Sequence, residues 1–362
     1  MSGLRFSVIF MIGAGLLLSS CGEEQEEIEI PTTELSYDEV TPERVSPVHD
    51  FSVPEEVQSP QNLEVADGRI YLSDRPEQPG RPTLFVLNAD DGQSIGYMGQ
   101  RRHGPGDLVS ISILGSRPGM QPRISAFDPS QMVLSFLDSE APDDDLRSGA
   151  RMAELELNDV PDGLALLDDG SIWASGVWSE PYRVIELSSE GGFRNRIIPP
   201  PGYEFGRSPR VFNELWHSVM AAGGDPEIIA LAARYAARID IYTPDAEPVR
   251  AILGPHASEP DYRFTDDDRS EFEFTSEARY GYLDIAVHDD VITGLYSGKI
   301  HRQDEGEYGE YIHIFDIDGN PFSVLELENE IRVISIDGTN NLIYGLTEEE
   351  RIVAYSIDEA IS

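Results

Sequence analysis

One pattern constrains the fold of this chain more than any other: an alternating strand, a tight Asp-Gly turn and a second alternating strand, repeated along the sequence. The stretch Pro60-Gln-Asn-Leu-Glu-Val-Ala-Asp-Gly-Arg-Ile-Tyr-Leu-Ser73 matches Pro161-Asp-Gly-Leu-Ala-Leu-Leu-Asp-Asp-Gly-Ser-Ile-Trp-Ala-Ser175. Successive side chains of a strand point to opposite faces, so apolar residues at every second position mark a strand with a buried face, and Asp-Gly tolerates the positive φ of a tight hairpin. Looser copies run from Leu283 to Tyr296 around Asp289-Asp290 and from Ile331 to Leu346 around Asp337-Gly338. Degenerate copies fit at Arg123 to Phe136, around Asp128-Pro129, and at Asp225 to Ala233, which makes six.

Each copy is followed by a further pair of strand-like runs. The clearest are Leu84 to Asn88 with Ser94 to Met98, Tyr182 to Leu187 with Phe193 to Ile198, and Tyr311 to Ile317 with Phe322 to Leu327; Ile239 to Tyr242 with Val249 to Leu253 repeats the theme. Four strands in each unit of about 40 to 60 residues is the signature of a propeller blade. The expected fold is therefore all-β, a six-bladed β-propeller over residues 46–362, with a β-sandwich or two smaller β domains as the alternative arrangement of the same strands. After Ile352 to Ile357 the last copy has room for only three strands. Val48 to Val53 is expected to supply the fourth from the N-terminus, which closes the ring and removes an open edge.

One helix is expected near 209–222. Ser208 reads as its N-cap and Pro209 as a first-turn residue, and Val211, Phe212, Leu215, Trp216, Val219 and Met220 recur at helical spacing before Gly223-Gly224. It would either cap one face and shape a pocket or pack its Trp against the side of the propeller. The alanine-rich run Ile228 to Arg238 is assigned to strand by repeat alignment, although alanine favours helix.

The N-terminus carries a different message. Arg5, an apolar run from Phe6 to Leu18 and small residues before Cys21 have the layout of a secretory signal over 1–20, too short for a bilayer span of about 20 apolar residues. Cys21 is the only cysteine, so no disulfide can form within the chain. Leu18-Ser19-Ser20-Cys21 resembles the lipobox of bacterial lipoproteins, in which the thiol receives a diacylglycerol and the new amine is acylated. Glu23, Glu24, Glu26, Glu27 and Glu29 then open an acidic stretch, and residues 21–45 are expected to form a solvated, flexible tether. Gly22 is not the aspartate of inner-membrane retention signals, and the acidic run resembles the signal that sends some lipoproteins of Bacteroidota to the cell surface. Periplasmic and outward orientations both remain open.

The chain carries 26 basic against 67 acidic side chains, a formal charge of −41. Such a surface repels nucleic acid and anionic membrane, which leaves the lipid as the expected membrane contact and a monomer as the expected state. Lys299 is the only lysine. Acid excess with almost no lysine resembles the proteome bias of high-salt organisms, where screening relieves self-repulsion, though a GC-rich genome alone also favours Arg.

The lipobox, the repeated Asp-Gly pattern and the loop Gly96-Tyr-Met-Gly-Gln-Arg-Arg-His-Gly-Pro-Gly-Asp-Leu108 together resemble the six-bladed β-propeller lipoproteins of the TolB-like class found in Bacteroidota and relatives. Gly104-Pro105-Gly106-Asp107-Leu108 matches the end of that family's Gly-x-x-Gly-x-Gly-Pro-Gly-Glu-Phe loop, with Asp and Leu in place of Glu and Phe. The resemblance covers most of residues 45 to 358. It implies the fold and an exported, lipid-anchored, outer-membrane location, and no activity, because members mostly lack an assigned one.

Two functional classes fit. The first is a noncatalytic propeller that binds an envelope protein, a peptide, a glycan or a small ligand, with no cofactor. Arg101, Arg102 and His103, flanked by glycines, form a basic cluster that would hold an anionic group or pair with nearby carboxylates. The second is a calcium-dependent hydrolase or lactonase similar to the gluconolactonase and paraoxonase propellers, for which Asn62, Asp162 and Asp284, near the starts of innermost strands, are the candidate ligands. Against it, strand starts at Arg123 and Arg332 would bring positive charge to the same mouth. The sequence contains no His-Glu-x-x-His and no phosphate loop, and the Asp143-Asp144-Asp145 and Asp266-Asp267-Asp268 runs lack the spacing of a calcium loop.

Overall fold

The computed structural model describes residues 30–99, 108–116, 124–137, 151–203, 207–266, 269–301 and 307–357. Three short strands come first, β1 (Thr32–Glu34), β2 (Glu43–Val45) and β3 (His49–Ser52). Four antiparallel strands follow as one sheet, β4 (Pro60–Ala66), β5 (Arg69–Asp74), β6 (Leu84–Asn88) and β7 (Ser94–Met98). The next sheet holds β8 (Ile113–Ser116), β9 (Ile124–Asp128), β10 (Val133–Leu137) and β11 (Arg151–Glu154). A third is made of β12 (Gly163–Leu166), β13 (Ile172–Ser175), β14 (Val184–Leu187) and β15 (Phe193–Ile198). Helix α1 (Pro209–Leu215) leads into β16 (Ser218–Gly223), β17 (Ile228–Ala233), β18 (Arg238–Tyr242) and β19 (Pro248–Leu253).

After a small hairpin of β20 (Tyr262–Phe264) and β21 (Phe272–Phe274), the remaining strands form one eight-stranded sheet. These are β22 (Tyr282–His288), β23 (Val291–Tyr296), β24 (Gly309–Asp316), β25 (Pro321–Asp337), β26 (Leu342–Thr347) and β27 (Arg351–Ser356), with β3 at its edge and β2 alongside β25. The 17-residue β25 serves two groups: Pro321 to Glu326 pairs with β24, and Ile331 to Asp337 pairs with β26. Strands β4, β8, β12, β16, β22 and the second half of β25 contact one another in a closed ring, each starting its own group of four. Sheets radiating from a ring of inner strands define a β-propeller.

Packing explains the sequence pattern. Each sheet buries both faces against its neighbours, so its middle strands read as continuous apolar runs rather than alternating ones, as in the fully buried β17 (Ile228–Ala233). Leu63 and Ile70 of the first sheet meet Tyr344 and Ile352 of the last, and Ile239 and Ile241 meet Tyr282 and Ile292. Turn chemistry follows expectation at the first hairpin, where Asp67 and Gly68 both take positive φ, 52° and 70°.

The expected N-terminal closure is present. β3 pairs antiparallel with β27 (His49↔Ala354, Phe51↔Ile352), completing the last group of four, and Phe51 and Val53 pack beside Leu63 and Ile352. Three other expectations change. The helix over 209–222 stops at Leu215, because Ser218 to Gly223 pairs along its length with β17 as an inner strand. The copy centred on Asp128-Pro129 is one strand out of register: β9 and β10 are second and third strands, and β8 is the inner one.

The third change concerns the stretch expected as a 21–45 tether, whose described part, from residue 30, is built into the fold. β1 lies parallel to β19 (Thr32↔Ala251), and Leu35, 2% exposed, packs among Ile239, Ile252 and Tyr282. Tyr37 reaches the fully buried His313, with its hydroxyl 3.0 Å from Nε2, and β2 then lies parallel to β25 (Val45↔Leu327). Residues 1–20 and Cys21 lie outside the described residues.

Candidate functional site

The ring of inner strands encloses a cavity of about 440 Å³ along the propeller axis. Backbone and side chains of all six inner strands line it, joined at the end where those strands begin by Arg234, Glu307 and Tyr308. Arg234 sits in the β17–β18 connection and Glu307 in the β23–β24 connection, so the mouth is made by loops of two neighbouring sheets. Arg234 Nη2 is 3.4 Å from Glu307 Oε1, and its guanidinium lies over the Tyr280 ring at 5.7 Å.

Two carboxyls stand on the channel wall, on either side of the inner strand that runs from Ile331 to Asp337. Asp284 accepts the N–H of Ile334 at 2.8 Å and that of Ile285 at 2.9 Å. Glu64 Oε1 accepts the hydroxyls of Ser335, at 3.0 Å, and of Ser116. Burial pushes both up to about 7; the Ser116 and Ser335 hydroxyls oppose the rise at Glu64, the Asp284 charge adds to it, and backbone N–H groups oppose it at Asp284. Each therefore changes charge near neutral pH.

Nearer the mouth, Asp162 Oδ2 is 3.4 Å from His217 Nε2. Burial raises Asp162 to about 6 against the pull of Arg234, and burial lowers His217 to about 4, helped by the charges of Arg234 and Arg183. At pH 7 the pair is a carboxylate beside a neutral imidazole. Arg332 donates from Nη2 to the Pro60 carbonyl, and its Nε is buried without a partner. Among the described residues no carboxylate forms an ion pair with it.

The structure places Asn62, Asp162 and Asp284 on this one channel. Each already has polar partners: Asn62 Nδ2 donates to the Ser112 carbonyl at 2.9 Å, Asp162 faces His217, and Asp284 is held by two backbone N–H groups. Among the described residues no group of three or more His, Cys, Asp or Glu side chains is placed to hold a metal. Arg101, Arg102 and His103 lie outside the described residues, as does Arg123. Arg332 lines the channel as expected from its strand start.

Sequence reading missed Glu64, Arg234 and the two serines. Glu64, between Leu63 and Val65, reads as the solvent side of a half-buried strand, and the channel is that solvent. The available signal was a break in the repeat, since the aligned copy has Ala165 at the same place.

A ring of inner strands around a lined axial cavity makes the protein a β-propeller with a polar central channel. Residues 197–339 match the family described as TolB-like 6-blade propeller-like, which bears out the resemblance to that class over this stretch. Among solved structures, a member of the DUF4221 family from Bacteroides vulgatus is 10% identical with a TM-score of 0.50, covering 88% of this chain and 97% of that one. At that identity the likeness is one of fold. Virginiamycin B lyase from Staphylococcus aureus is 12% identical with a TM-score of 0.45, covering 86% of this chain and 88% of that one. The Pan2 WD40 domain of Neurospora crassa is 7% identical with a TM-score of 0.49, covering 86% and 94%. No curated protein matches the chain in sequence.

Proposed function

We propose that the protein is a lipid-anchored, six-bladed envelope propeller that acts as a binding module, taking a ligand or a segment of a partner into the mouth of its central channel. The observation that carries this reading is the axial cavity itself, walled by inner strands and furnished with ionisable groups that reach it from four sheets: Glu64, Asp162, Asp284, Arg234 and Arg332. Concave sites with a few convergent polar groups are where proteins hold small ligands. Several of these groups have strongly perturbed proton affinity, a further mark of a functional site. Export and anchoring rest on the apolar run and the lipobox-like Leu18-Ser19-Ser20-Cys21, and the high negative charge argues for a leash of lipid rather than adhesion to an anionic bilayer.

Two measurements test the reading. Cys21→Ser should move the protein from the membrane to the soluble fraction, and retention in the membrane would remove the anchor. For the channel, the full chain in detergent is screened by thermal shift against peptides and glycans, beside the plugging variants Ala221→Trp and Leu164→Trp. A ligand of the channel loses its shift in both folded variants; a ligand that stabilises them as well as wild type places binding elsewhere.

A further inference from the structure

Charge inside the channel is arranged by depth, and Arg332 forms no ion pair there with Glu64 or Asp284. In a chain with 67 acidic side chains against 26 basic ones, an arginine finds a carboxylate easily, and Arg234 at the mouth has Glu307. Among the described residues Arg332 has no carboxylate partner, although it lines the same cavity: its Nη2 donates to the Pro60 carbonyl, and its Nε is enclosed without an acceptor. A guanidinium left with unused donors in a polar cavity is suited to a ligand oxyanion, which it can grip with two parallel bonds.

Deeper along the same strand stand the two carboxyls. Asp284 is fastened to the N–H of Ile334, and Glu64 to the hydroxyl of Ser335, so they approach this strand from the sheets on its two sides. Residues 332 and 335 are three positions apart, at most roughly 10 Å for an extended strand, and less across the irregularity in pairing between Ile331 and Ile334. Carboxyls enclosed in this way are held at a cost that a ligand cation would relieve.

We propose that the channel takes a zwitterion, with its anionic group on Arg332 near the mouth and its ammonium between Glu64 and Asp284 further in. This rests on the channel-binding reading above. Charges at most about 10 Å apart match the two ends of a peptide of up to three residues, at roughly 3.3 to 3.6 Å per residue. The ligand class is thus a short peptide with both termini free, entering amine first.

Trialanine is the probe, titrated calorimetrically into the full chain in detergent beside N-acetyl-trialanine and trialanine amide. Trialanine should bind, and blocking either end should weaken binding about tenfold or more, the size of one lost charge-assisted contact. Arg332→Met should abolish the preference for the free carboxylate while keeping that for the free amine, and Arg332→Lys should restore part of it. Glu64→Gln with Asp284→Asn should do the reverse, and circular dichroism melting identifies variants that fold. No binding of trialanine, or equal binding of the blocked peptides, overturns the proposal. If blocked peptides bind equally and Ala221→Trp abolishes them all, the zwitterion assignment falls and the channel reading stands. If trialanine binds with full charge preference to folded Ala221→Trp, both fall.

Discussion

Arg183 is among the largest fully buried side chains of the described residues, and its removal is the sharpest test of how neighbouring sheets are joined. It is 1% exposed, directs Nη1 to Asp240 Oδ2 at 2.7 Å, and donates from Nε and Nη2 to Ser218 Oγ at 2.9 and 2.6 Å. Arg238 Nε holds the other Asp240 oxygen at 2.7 Å, and Trp216 lies under both guanidinium groups at 5.7 and 5.5 Å. One buried carboxylate and one hydroxyl thereby tie β14's sheet to that of β16 and β18. Breaking a buried ion pair from one side costs about 3–5 kcal/mol, since the other charge stays buried. Arg183→Met leaves Asp240 with Arg238, so the lower end applies, about 3 kcal/mol, or roughly two orders of magnitude in the folded-to-unfolded ratio. Urea unfolding of Arg183→Met, Asp240→Asn and the double variant measures this, and the cycle should show coupling above about 1 kcal/mol. The loss should persist in salt, because a buried pair is screened little. A loss of less than about 1 kcal/mol, or one erased by salt, would refute the account.

Deleting residues 46–54 should lower the melting temperature of the whole fold, because β3 is the fourth strand of the last group; unchanged melting would mean the ring does not need it. The channel carboxyls predict a pH effect of definite sign. Their folded affinities near pH 7 exceed the ordinary carboxylate values, so their stabilisation is complete below about pH 4 and is lost as pH rises through 7. Glu64→Gln with Asp284→Asn should therefore be more stable than wild type at pH 8, by up to about 3 kcal/mol for Glu64 and about 4 kcal/mol for Asp284, with the gap closing at pH 4. A melting difference independent of pH would contradict this. Gly281→Ala should be poorly folded, since its Cβ would lie 1.8 Å from the Ala236 carbonyl oxygen; soluble expression with wild-type melting would show that the loop can yield.

How far the sequence carries depends on what each residue must satisfy. Asp67-Gly68 and the runs beside it are local, and local chemistry makes the hairpin. The short last copy pointed to Val48 to Val53 because a missing strand is a counting argument. Val219 and Met220 misled because an apolar face at helical spacing also supplies the alternating positions of a strand, and pairing with β17 decides between them. Thr32 to Val45 was unreadable for a different reason: parallel edge pairing with β19 and β25 is a property of partners more than 200 residues away. The same holds for Glu64, which looks like an ordinary solvent-facing position until a closed ring makes its solvent a channel.

The N-terminal strap also decides where the protein can be pulled. Only ten residues, 22–31, separate Cys21 from Thr32, a reach of at most about 35 Å. Tension from a lipid on that thiol would arrive first at β1, then at the Leu35 plug and the Tyr37–His313 contact, then at β2, and only after those at the closing strand β3. The strap is thus a strain relief in the cable-maker's sense: four fastenings would have to give way before load reached the joint that keeps the ring shut.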